Sequence, residues 1–513
     1  MKNIFKISLV AVLGMVWLPS CSDLEPEFTD VIPASEYFVN EDAFISALGS
    51  AYTNLYSICN HGQLFSLQEV SSDEACVPHR GPDWEDGGQW LRTHRHEFFD
   101  GEGVFNNVWG WAYGGISTCN RLIATFEENA NDQSDAFIAE LKVLRSFYYL
   151  ALLDVFGNVP LITTFDVDEG FKPATVTRSA IYDFIETELT ENVPLLSKEV
   201  SQATYARVNY YVGQAMLAQL YLNAEEYNGS AQYAKAITAC DEIINGGGYF
   251  LESNYFNNFS VNNDGSKENI FVIPYDAVNA GGFNLVQMTL HYESQKTFST
   301  VDQPWNGYCS LADFYNSFEE DDVRITGGGR GYGVLLHGPQ FALDGSRLVD
   351  GADSYYDDTD GRDVNFNPDL NELAPGAHRD GGARLSKYEY EVGTQNTMNN
   401  DFALYRYSEI LMNKAEAMWR MNSGSQEALD LVNMIRDRAG VAPFSSLTDD
   451  NFLAERGREL CFEAKRRTDM IRFGKWNDAW WEKEASAGDH KNLMPIPADQ
   501  LTLNDQLQQN PGY

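Results

Sequence analysis

Positive charge is scarce in this sequence of 513 residues, because 36 lysines and arginines stand against 75 aspartates and glutamates and leave a formal net charge of −39. An acidic surface of this kind repels phosphate, so nucleic acid and anionic lipid headgroups are poor candidate partners. Cysteine is also rare, and the six residues that follow Cys21 are widely spaced, unlike the framework of a small disulfide-stapled domain. We expect most of these six to be buried thiols, and the spacing leaves their pairing open.

Familiar catalytic and cofactor motifs are missing as well. The chain has no Gly-x-Ser-x-Gly, no His-Glu-x-x-His and no Gly-x-x-x-x-Gly-Lys-Ser/Thr. The GGGRGYG run at 327–333 lacks the strand-to-helix context of a dinucleotide-binding loop, and the Asp-rich segment 357–372 does not fit the EF-hand frame, although a structural calcium there stays an open alternative. Ligand-type side chains occur at a spacing that matches no zinc module, at Cys76, His79, His94 and His96. We therefore predict no catalytic residue, no cofactor and no metal site.

Apolar and aromatic residues are abundant by contrast. Hydrophobic residues make up 43% of the chain, which gives ample material for a core and excludes wholesale disorder. The 30 Phe, 27 Tyr and 10 Trp exceed what packing obviously needs. We therefore expect some aromatic side chains to line a surface that binds something uncharged.

The first residues have the features of an export signal. Lys2 and Lys6 precede an apolar run at 7–18, which is too short to span a bilayer because a helix needs about 20 residues for that. A basic start and a short apolar stretch before small residues predict a secretory signal over 1–20. Cys21 immediately after the predicted cut resembles the lipobox of bacterial lipoproteins, from which Pro19 is a departure. Cys21 is therefore predicted to carry the lipid, and a plain signal peptide is the alternative.

Helical periodicity dominates both ends of the chain and is weak in the middle. Helical blocks are predicted at about 34–245, with a loop-like stretch at 71–103, and at 402–474. Between them, 246–400 is rich in Gly, Asn, Asp and Tyr with short strand-like pieces such as NIFVIPYD, and long insertions of this kind usually carry function. An extended tail follows at 490–513.

Short amphipathic helices in pairs predict a tetratricopeptide-like scaffold. The clearest helix is predicted at 135–157, and others are predicted near 178–196, 204–224, 230–245, 402–421, 425–439 and 449–474. Paired helices of a little over thirty residues suggest stacked repeats. Small side chains in the 204–224 helix would let its neighbours approach closely, at Gly213, Ala215 and Ala218.

Several segments, in order along the chain, resemble the SusD/RagB-like outer-membrane lipoproteins of Bacteroidetes. The segments are ELKVLRSFYYLALLDVFGNVPLIT, YRYSEILMNKAEAMWR, ALDLVNMIRDRAG, RGRELCFEAKRRTDMIRFGKW and MPIPADQL with the final QNPGY. Smaller matches are Ser72-Asp73-Glu74, ENIFVIPYD and FEEDDVR. Each match is weak alone, but together they extend from the lipobox to the last residue.

The resemblance implies a mainly α fold, in which one domain over 21–513 has a tetratricopeptide-like helical scaffold with a large irregular insertion. It also implies a protein anchored by lipid in the outer membrane on its extracellular side. Such a protein would capture oligosaccharides and deliver them to a SusC-like TonB-dependent transporter. The acidic residues that follow Cys21 resemble the signal that sends such lipoproteins to the cell surface.

Two aromatic segments are the strongest candidates for a glycan-binding surface. Sugar rings stack on Trp and Tyr, while their hydroxyl groups need polar partners. Trp84 and Trp90 lie beside Asp83 in the loop-like stretch, a region that contributes to the ligand platform in similar proteins. The second segment carries a binding aromatic in many family members, and its candidates here are Trp305, Asn306 and Tyr308. Residues that could close the site are Tyr292, Arg330 and Tyr332.

Other tryptophans and the charged clusters are predicted to be structural. Trp109 and Trp111 fall on helical spacing, and packing is also expected for Trp419, Trp476, Trp480 and Trp481. Arginines and carboxylates alternate at helical spacing in 406–416 and 458–472, which predicts ion pairs between helices rather than acid–base catalysis. Two alternatives to glycan capture stay open: capture of peptides by the same architecture, and a lipid-anchored glycosidase with two facing carboxylates.

Overall fold

The structure is a computed structural model, and it describes residues 38, 40–131, 134–351 and 361–513. The predicted signal peptide, Cys21 with its predicted lipid, and the first part of the Asp-rich segment, 357–360, lie outside the described residues. The helices in chain order are α1 Glu41–Tyr52, α2 Leu64–Val70, α3 Gln89–Arg95, α4 Gly103–Glu128, α5 Ser134–Val155, α6 Arg178–Asn192, α7 Tyr210–Leu222, α8 Ala224–Asn228, α9 Tyr233–Gly246, α10 Leu285–Thr289, α11 Gln295–Phe298, α12 Ala312–Asn316, α13 Val323–Thr326, α14 Tyr407–Met421, α15 Gln426–Arg438, α16 Asp449–Leu460, α17 Arg466–Arg472 and α18 Ala498–Leu503.

The strands are short and pair antiparallel in two-stranded sheets. They are β1 Ala75–Cys76 with β3 Cys309–Ser310, β2 Asn269–Ile273 with β10 Phe402–Arg406, β4 Leu335–Leu336 with β9 Arg384–Leu385, β5 Gly338–Pro339 with β8 Asn365–Phe366, and β6 Val349–Asp350 with β7 Arg362–Asp363. Single turns of 3₁₀ helix lie at Thr53–Ser57, Asp86–Gly88, Val193–Leu195, Tyr255–Phe259, Tyr292–Ser294 and Asp489–Asn492.

The long helices pack side by side as a scaffold. Helix α4 packs against α5, α5 against α6, α7 against α9, and α9 against α14, which in turn contacts α15. Two glycines permit close approach, because a Cβ atom at Gly115 would overlap the ring of Tyr148 on α5, and one at Gly213 would overlap Val193. Gly213 lies on α7, and the prediction that small residues of this helix let its neighbours approach closely is confirmed there.

Three sequence-based boundaries are corrected by the structure. The loop-like stretch 71–103 contains helix α3. The helix predicted at 402–421 begins as the fully buried strand β10, because those residues pair with β2. The helix predicted at 449–474 is broken between α16 and α17, where Phe462 and Ala464 adopt left-handed backbone conformations that a helix cannot continue through.

Buried ion pairs connect the insertion to the C-terminal helices. Arg406 pairs with Glu459 at 2.9 Å and with Glu463 at 2.7 Å, and it also reaches Glu268 in the insertion. Arg324 of α13 pairs with Asp322 and Glu455. Arg472 on α17 pairs with Glu416 on α14 at 2.6 Å, which confirms the prediction that the charged clusters form helix-to-helix ion pairs.

Tryptophans, cysteines and helix lengths also bear on the predictions. Trp109 and Trp111 are 5% exposed and Trp476 is 1% exposed, as predicted for core residues. All six cysteines after Cys21 are buried, as expected, and form no disulfide in the described part of this structure. Among the described helices, none combines the length and the apolar character that crossing a bilayer requires.

Candidate functional site

Four of the predicted site residues meet in one aromatic cluster. Trp84 and Trp305, which we call the tryptophan pair, have ring centroids 6.5 Å apart and planes inclined by 48°. Beneath them lies a supporting layer formed by His61, Trp90 and Tyr308. The His61 ring is 5.1 Å from Trp84 and 5.2 Å from Trp90, and the Tyr308 ring is 5.7 Å from Trp84. The structure therefore joins the two segments that the sequence singled out, although they are more than 200 residues apart.

A tight turn places Trp84 over the second segment. Arg80 and Asp83 exchange backbone hydrogen bonds of 3.0 and 3.2 Å around Gly81, which has the left-handed backbone conformation that favours glycine. Trp84 itself has a φ of 66°, and its Nε1 donates a hydrogen bond of 2.7 Å to the carbonyl oxygen of Trp305. Trp84 and Trp305 each keep part of their surface exposed.

Within the supporting layer, Trp90 and Tyr308 are buried and hydrogen-bonded, and His61 is partly exposed. Trp90 is 1% exposed and its Nε1 donates to Asp86 at 2.8 Å, while the fully buried Tyr308 hydroxyl donates to Ser66 at 2.8 Å. Burial lowers the pKa of His61, and the Asp86 carboxylate offsets part of that effect, so the imidazole is neutral at pH 7. This layer fixes the tryptophan pair from below without placing a charge under it.

Asn306 is also buried and holds the loop between the two layers. It has a φ of 57°, its Nδ2 donates to the carbonyl of Arg379 at 2.9 Å, and its Oδ1 accepts from Arg384 at 2.8 Å. Trp90, Asn306 and Tyr308 therefore have almost no surface to offer a ligand in this structure. That these three residues contact a ligand stays a prediction. In this structure they support the residues of the tryptophan pair.

Asp83 and Tyr292 form a polar edge beside the tryptophan pair. The Tyr292 hydroxyl donates to the Asp83 carboxylate, and the Arg379 guanidinium lies 4.2 Å from the centroid of the Tyr292 ring. Burial raises the pKa of Tyr292, and the hydrogen bond to Asp83 raises it further, so the hydroxyl remains a donor. Arg379 in turn pairs with Asp350 at 2.8 Å. Both Asp83 and Tyr292 are partly exposed, so a carboxylate, a hydroxyl and a cation adjoin the apolar rings.

Arg330 and Tyr332 lie in a second cluster. Arg330 donates to the carbonyls of Gly333 at 2.8 Å and Ser386 at 2.6 Å, and its guanidinium lies 4.0 Å from the Phe256 ring centroid. The Tyr332 hydroxyl accepts a hydrogen bond of 3.0 Å from the backbone of Tyr390. These contacts hold the Gly-rich loop at 327–333 against residues 386–390, and none of them is with the tryptophan pair. The proposal that this loop closes the site stays a prediction.

Two residues at the cluster were missed by sequence reasoning. His61 lies between helices α1 and α2 and Arg379 lies in an irregular stretch of the insertion. Neither belongs to a periodic pattern or a motif, and their contacts are with residues far away in the sequence. No signal in a single sequence identifies them.

Comparison with known proteins gives two family matches. A family model described as the SusD family matches residues 224–513, which is more than half of the chain. A second model, described as "Starch-binding associating with outer membrane", matches residues 27–222.

Similar proteins and solved structures agree with those matches. The starch-binding protein SusD of Bacteroides thetaiotaomicron is 26% identical over 428 residues, which cover 73% of this chain and 72% of that protein. A SusD-like protein of Formosa agariphila is 23% identical over 99% of each chain. Surface glycan-binding protein A of Bacteroides thetaiotaomicron, solved with laminarihexaose, superposes with a TM-score of 0.73 at 23% identity over 92% of this chain and 99% of that one. A laminarin-binding SusD-like protein gives 0.71 at 21% identity over 92% and 100%. The predicted mainly α, SusD-like fold is therefore confirmed.

Proposed function

The chain belongs to the SusD family, and from that premise we propose that it binds oligosaccharides at the surface built by the tryptophan pair and its polar edge. The observation that carries the proposal is the juxtaposition of two partly exposed, mutually inclined indole rings with Asp83 and Tyr292. Apolar ring faces suit the C–H faces of sugars, and adjacent hydrogen-bonding groups suit their hydroxyls.

The inclination of the two rings favours a glycan over a peptide. Planes inclined by 48° form a curved surface on which successive units of a bent sugar chain can stack. Peptide capture commonly uses an exposed strand edge to which the peptide adds a further strand. The five-residue strands β2 and β10 pair with each other and are fully buried, so they give a peptide no such edge.

The relatives and the predicted leader support a proposal for where in the cell this binding takes place. We propose that a lipid on Cys21 anchors the chain to the outer membrane with its binding surface outside the cell. The matching model for residues 27–222 is described as associating with the outer membrane, which supports this location. Delivery of the bound glycan to a SusC-like TonB-dependent transporter completes the proposal.

Titration calorimetry of the purified mature chain with a panel of oligosaccharides, including laminarin and starch fragments, tests the binding. Trp84→Ala and Trp305→Ala are each expected to weaken binding by at least about 30-fold, or about 2 kcal/mol, as for a central aromatic contact. Trp419→Ala is the matched control, because Trp419 is partly buried in a separate hydrophobic cluster. Wild-type affinity in both site variants would refute the placement. Appearance of shortened products would instead favour the glycosidase alternative.

Delivery needs its own experiment. Crosslinking on intact cells followed by isolation of the chain is expected to recover a TonB-dependent outer-membrane transporter, and a Cys21→Ala variant that lacks the lipid is expected to recover less of it. Isolation of the wild-type chain alone would refute delivery, while the binding result would stand.

A further inference from the structure

Two buried cysteines face each other on the short strand that precedes Trp84 and the short strand that follows Trp305. Strands β1 and β3 pair antiparallel with Cys76 opposite Cys309, and the two sulfur atoms are 3.8 Å apart. Directly opposed residues in antiparallel strands have Cα atoms about 4.5–5.5 Å apart, which falls inside the range of about 4.4–6.8 Å found for disulfides. A covalent bond of about 2.05 Å therefore needs side-chain rotation and no rearrangement of the backbone.

The pair lies in closely packed apolar surroundings. Both cysteines are fully buried, and they pack with Leu311 and Leu373 in a small hydrophobic cluster. A Cβ atom at Gly382 would overlap the Cys309 sulfur, so a glycine at this position is needed to make room for that sulfur. Other cysteines have different neighbours: Cys59 contacts Tyr275, and the Cys461 sulfur lies 4.0 Å from the Lys387 Nζ.

Two buried arginines lie beside the Cys309 sulfur in the folded chain. The Arg80 Nη2 lies 3.5 Å from that sulfur, and the nearby Arg384 donates to neutral oxygens, among them the carbonyl of Gly382 and the side chain of Asn306. Burial alone would raise the pKa of Cys309, but the hydrogen bond from Cys76 and the charges of Arg80 and Arg384 outweigh it and lower the pKa below its ordinary value. The thiolate is the nucleophile of disulfide exchange.

We propose that Cys76 and Cys309 form a disulfide bond in the exported protein. This bond would join the segment that carries Asp83 and Trp84 to the segment that carries Trp305, and would limit how far the two segments can separate. The inference rests on the cysteine geometry and holds whether or not the proposed glycan binding is correct.

The chemistry needs an external disulfide as the oxidant. One of the two cysteines, as its thiolate, attacks that disulfide and releases one thiolate, and the other cysteine, once deprotonated, then attacks the first cysteine's sulfur in the mixed disulfide and releases the second. Overall, the protein loses two electrons and two protons and gains one S–S bond, and the oxidant becomes two thiols. Because both sulfurs are inaccessible in the folded chain, we expect the exchange during folding, before β1 and β3 are covered.

Thiol mapping of the chain exported with its own leader tests the bond. Protein isolated without reductant is denatured, treated with N-ethylmaleimide and digested, and the peptide masses are measured by mass spectrometry before and after reduction. The expected result is one linked peptide that contains Cys76 and Cys309, with both residues unlabelled until reductant is added. Cys119→Ser, which removes a fully buried core thiol, is expected to leave that linkage unchanged. Complete labelling of Cys76 and Cys309 without reductant, or a linkage of either to another cysteine, would overturn the proposal.

Thermal unfolding gives a second, independent measurement. The reduced chain is refolded in a mixture of oxidised and reduced glutathione, and its midpoint is compared with that of chain kept reduced. Closing a loop between residues 233 positions apart is expected to raise the midpoint by roughly 5 °C in a chain of this size. In Cys76→Ser the midpoint is expected to be the same under both conditions. A wild-type midpoint that does not respond to oxidation would overturn the claim that the bond staples the two segments.

Discussion

The indole Nε1 of Trp84 donates a hydrogen bond of 2.7 Å to the carbonyl oxygen of Trp305. The two residues lie in different segments, 221 positions apart, and each helps to fix the other. The position of the Trp84 ring therefore depends on the backbone at 305–308, and small changes in that backbone are expected to alter binding.

Gly307→Ala is expected to weaken glycan binding by displacing Trp84. A Cβ atom at Gly307 would overlap the Trp84 indole, so the ring has to move away from Trp305. The expected loss of affinity is at least about tenfold, or about 1.4 kcal/mol, measured by calorimetry with the best ligand of the panel. Gly265→Ala is the matched control, because its Cβ would meet no atom within 4 Å. Equal affinity in both variants would show that the ring position is unimportant.

Trp90 is expected to matter for stability more than for direct contact. The ring is 1% exposed and hydrogen-bonded to Asp86, so Trp90→Ala removes a buried ring and is expected to lower the free energy of unfolding by about 3–5 kcal/mol. Denaturant unfolding followed by fluorescence measures this loss. Trp90→Phe keeps most of the apolar volume and is expected to retain most of the wild-type affinity. A large loss of affinity in folded Trp90→Phe would contradict the supporting role.

The difference between Trp84 and Trp90 shows which features of the site could be predicted from the sequence and which could not. Both residues lie in one polar loop, and the sequence gives no reason to treat them differently. Trp84 follows a tight turn and lies partly exposed on the second segment, whereas Trp90 is carried by α3 with its ring turned into the core. Long periodic helices such as α5 were predictable because their apolar face follows from local spacing.

Non-local pairing explains what could not be predicted. Strand β10 and helix α14 follow each other in the sequence without a turn signal between them, and their division at Arg406 depends on β2, more than a hundred residues earlier. His61 and Arg379 likewise gain their places through contacts with distant residues.

Glu416→Gln is expected to destabilise the fold strongly. The buried Glu416 carboxylate pairs with Arg472 at 2.6 Å and Arg420 at 2.7 Å, and the amide keeps its shape without the charge. Removing one partner from a buried pair costs about 3–5 kcal/mol, because the remaining charges stay buried. Glu427→Gln is the control, since Glu427 is 59% exposed in its pair with Lys414 and such pairs contribute about 0.2–1 kcal/mol. Similar unfolding free energies for the two variants would contradict this ranking.

Stability is expected to fall in acid. Burial alone would raise the pKa of Glu416 and Glu455, but the arginines around them outweigh burial and lower both pKa values to about 2. A carboxyl group whose pKa is lowered by folding contributes stability that is present above its unfolded value of about 4.5 and is lost as the pH falls toward 2. The thermal midpoint is therefore expected to decrease from about pH 5 to pH 2, and Glu416→Gln is expected to show a smaller decrease.

The contribution of two buried carboxyl groups to stability is expected to fall as the pH rises from about 4 to 7. Burial raises the pKa of Asp401 to about 6 and that of Glu69 to about 7, so the folded chain holds protons that the unfolded chain releases at lower pH. Their contribution is present below the unfolded values and is lost as the pH passes 6 to 7. Together with the decrease from pH 5 to pH 2, this predicts a maximum of the thermal midpoint near pH 5. Asp401→Asn is expected to lose less stability than the wild type between pH 4 and 6, and to show the same decrease of the thermal midpoint toward pH 2. A midpoint that rises steadily from pH 3 to pH 8 would contradict the raised pKa values of Asp401 and Glu69.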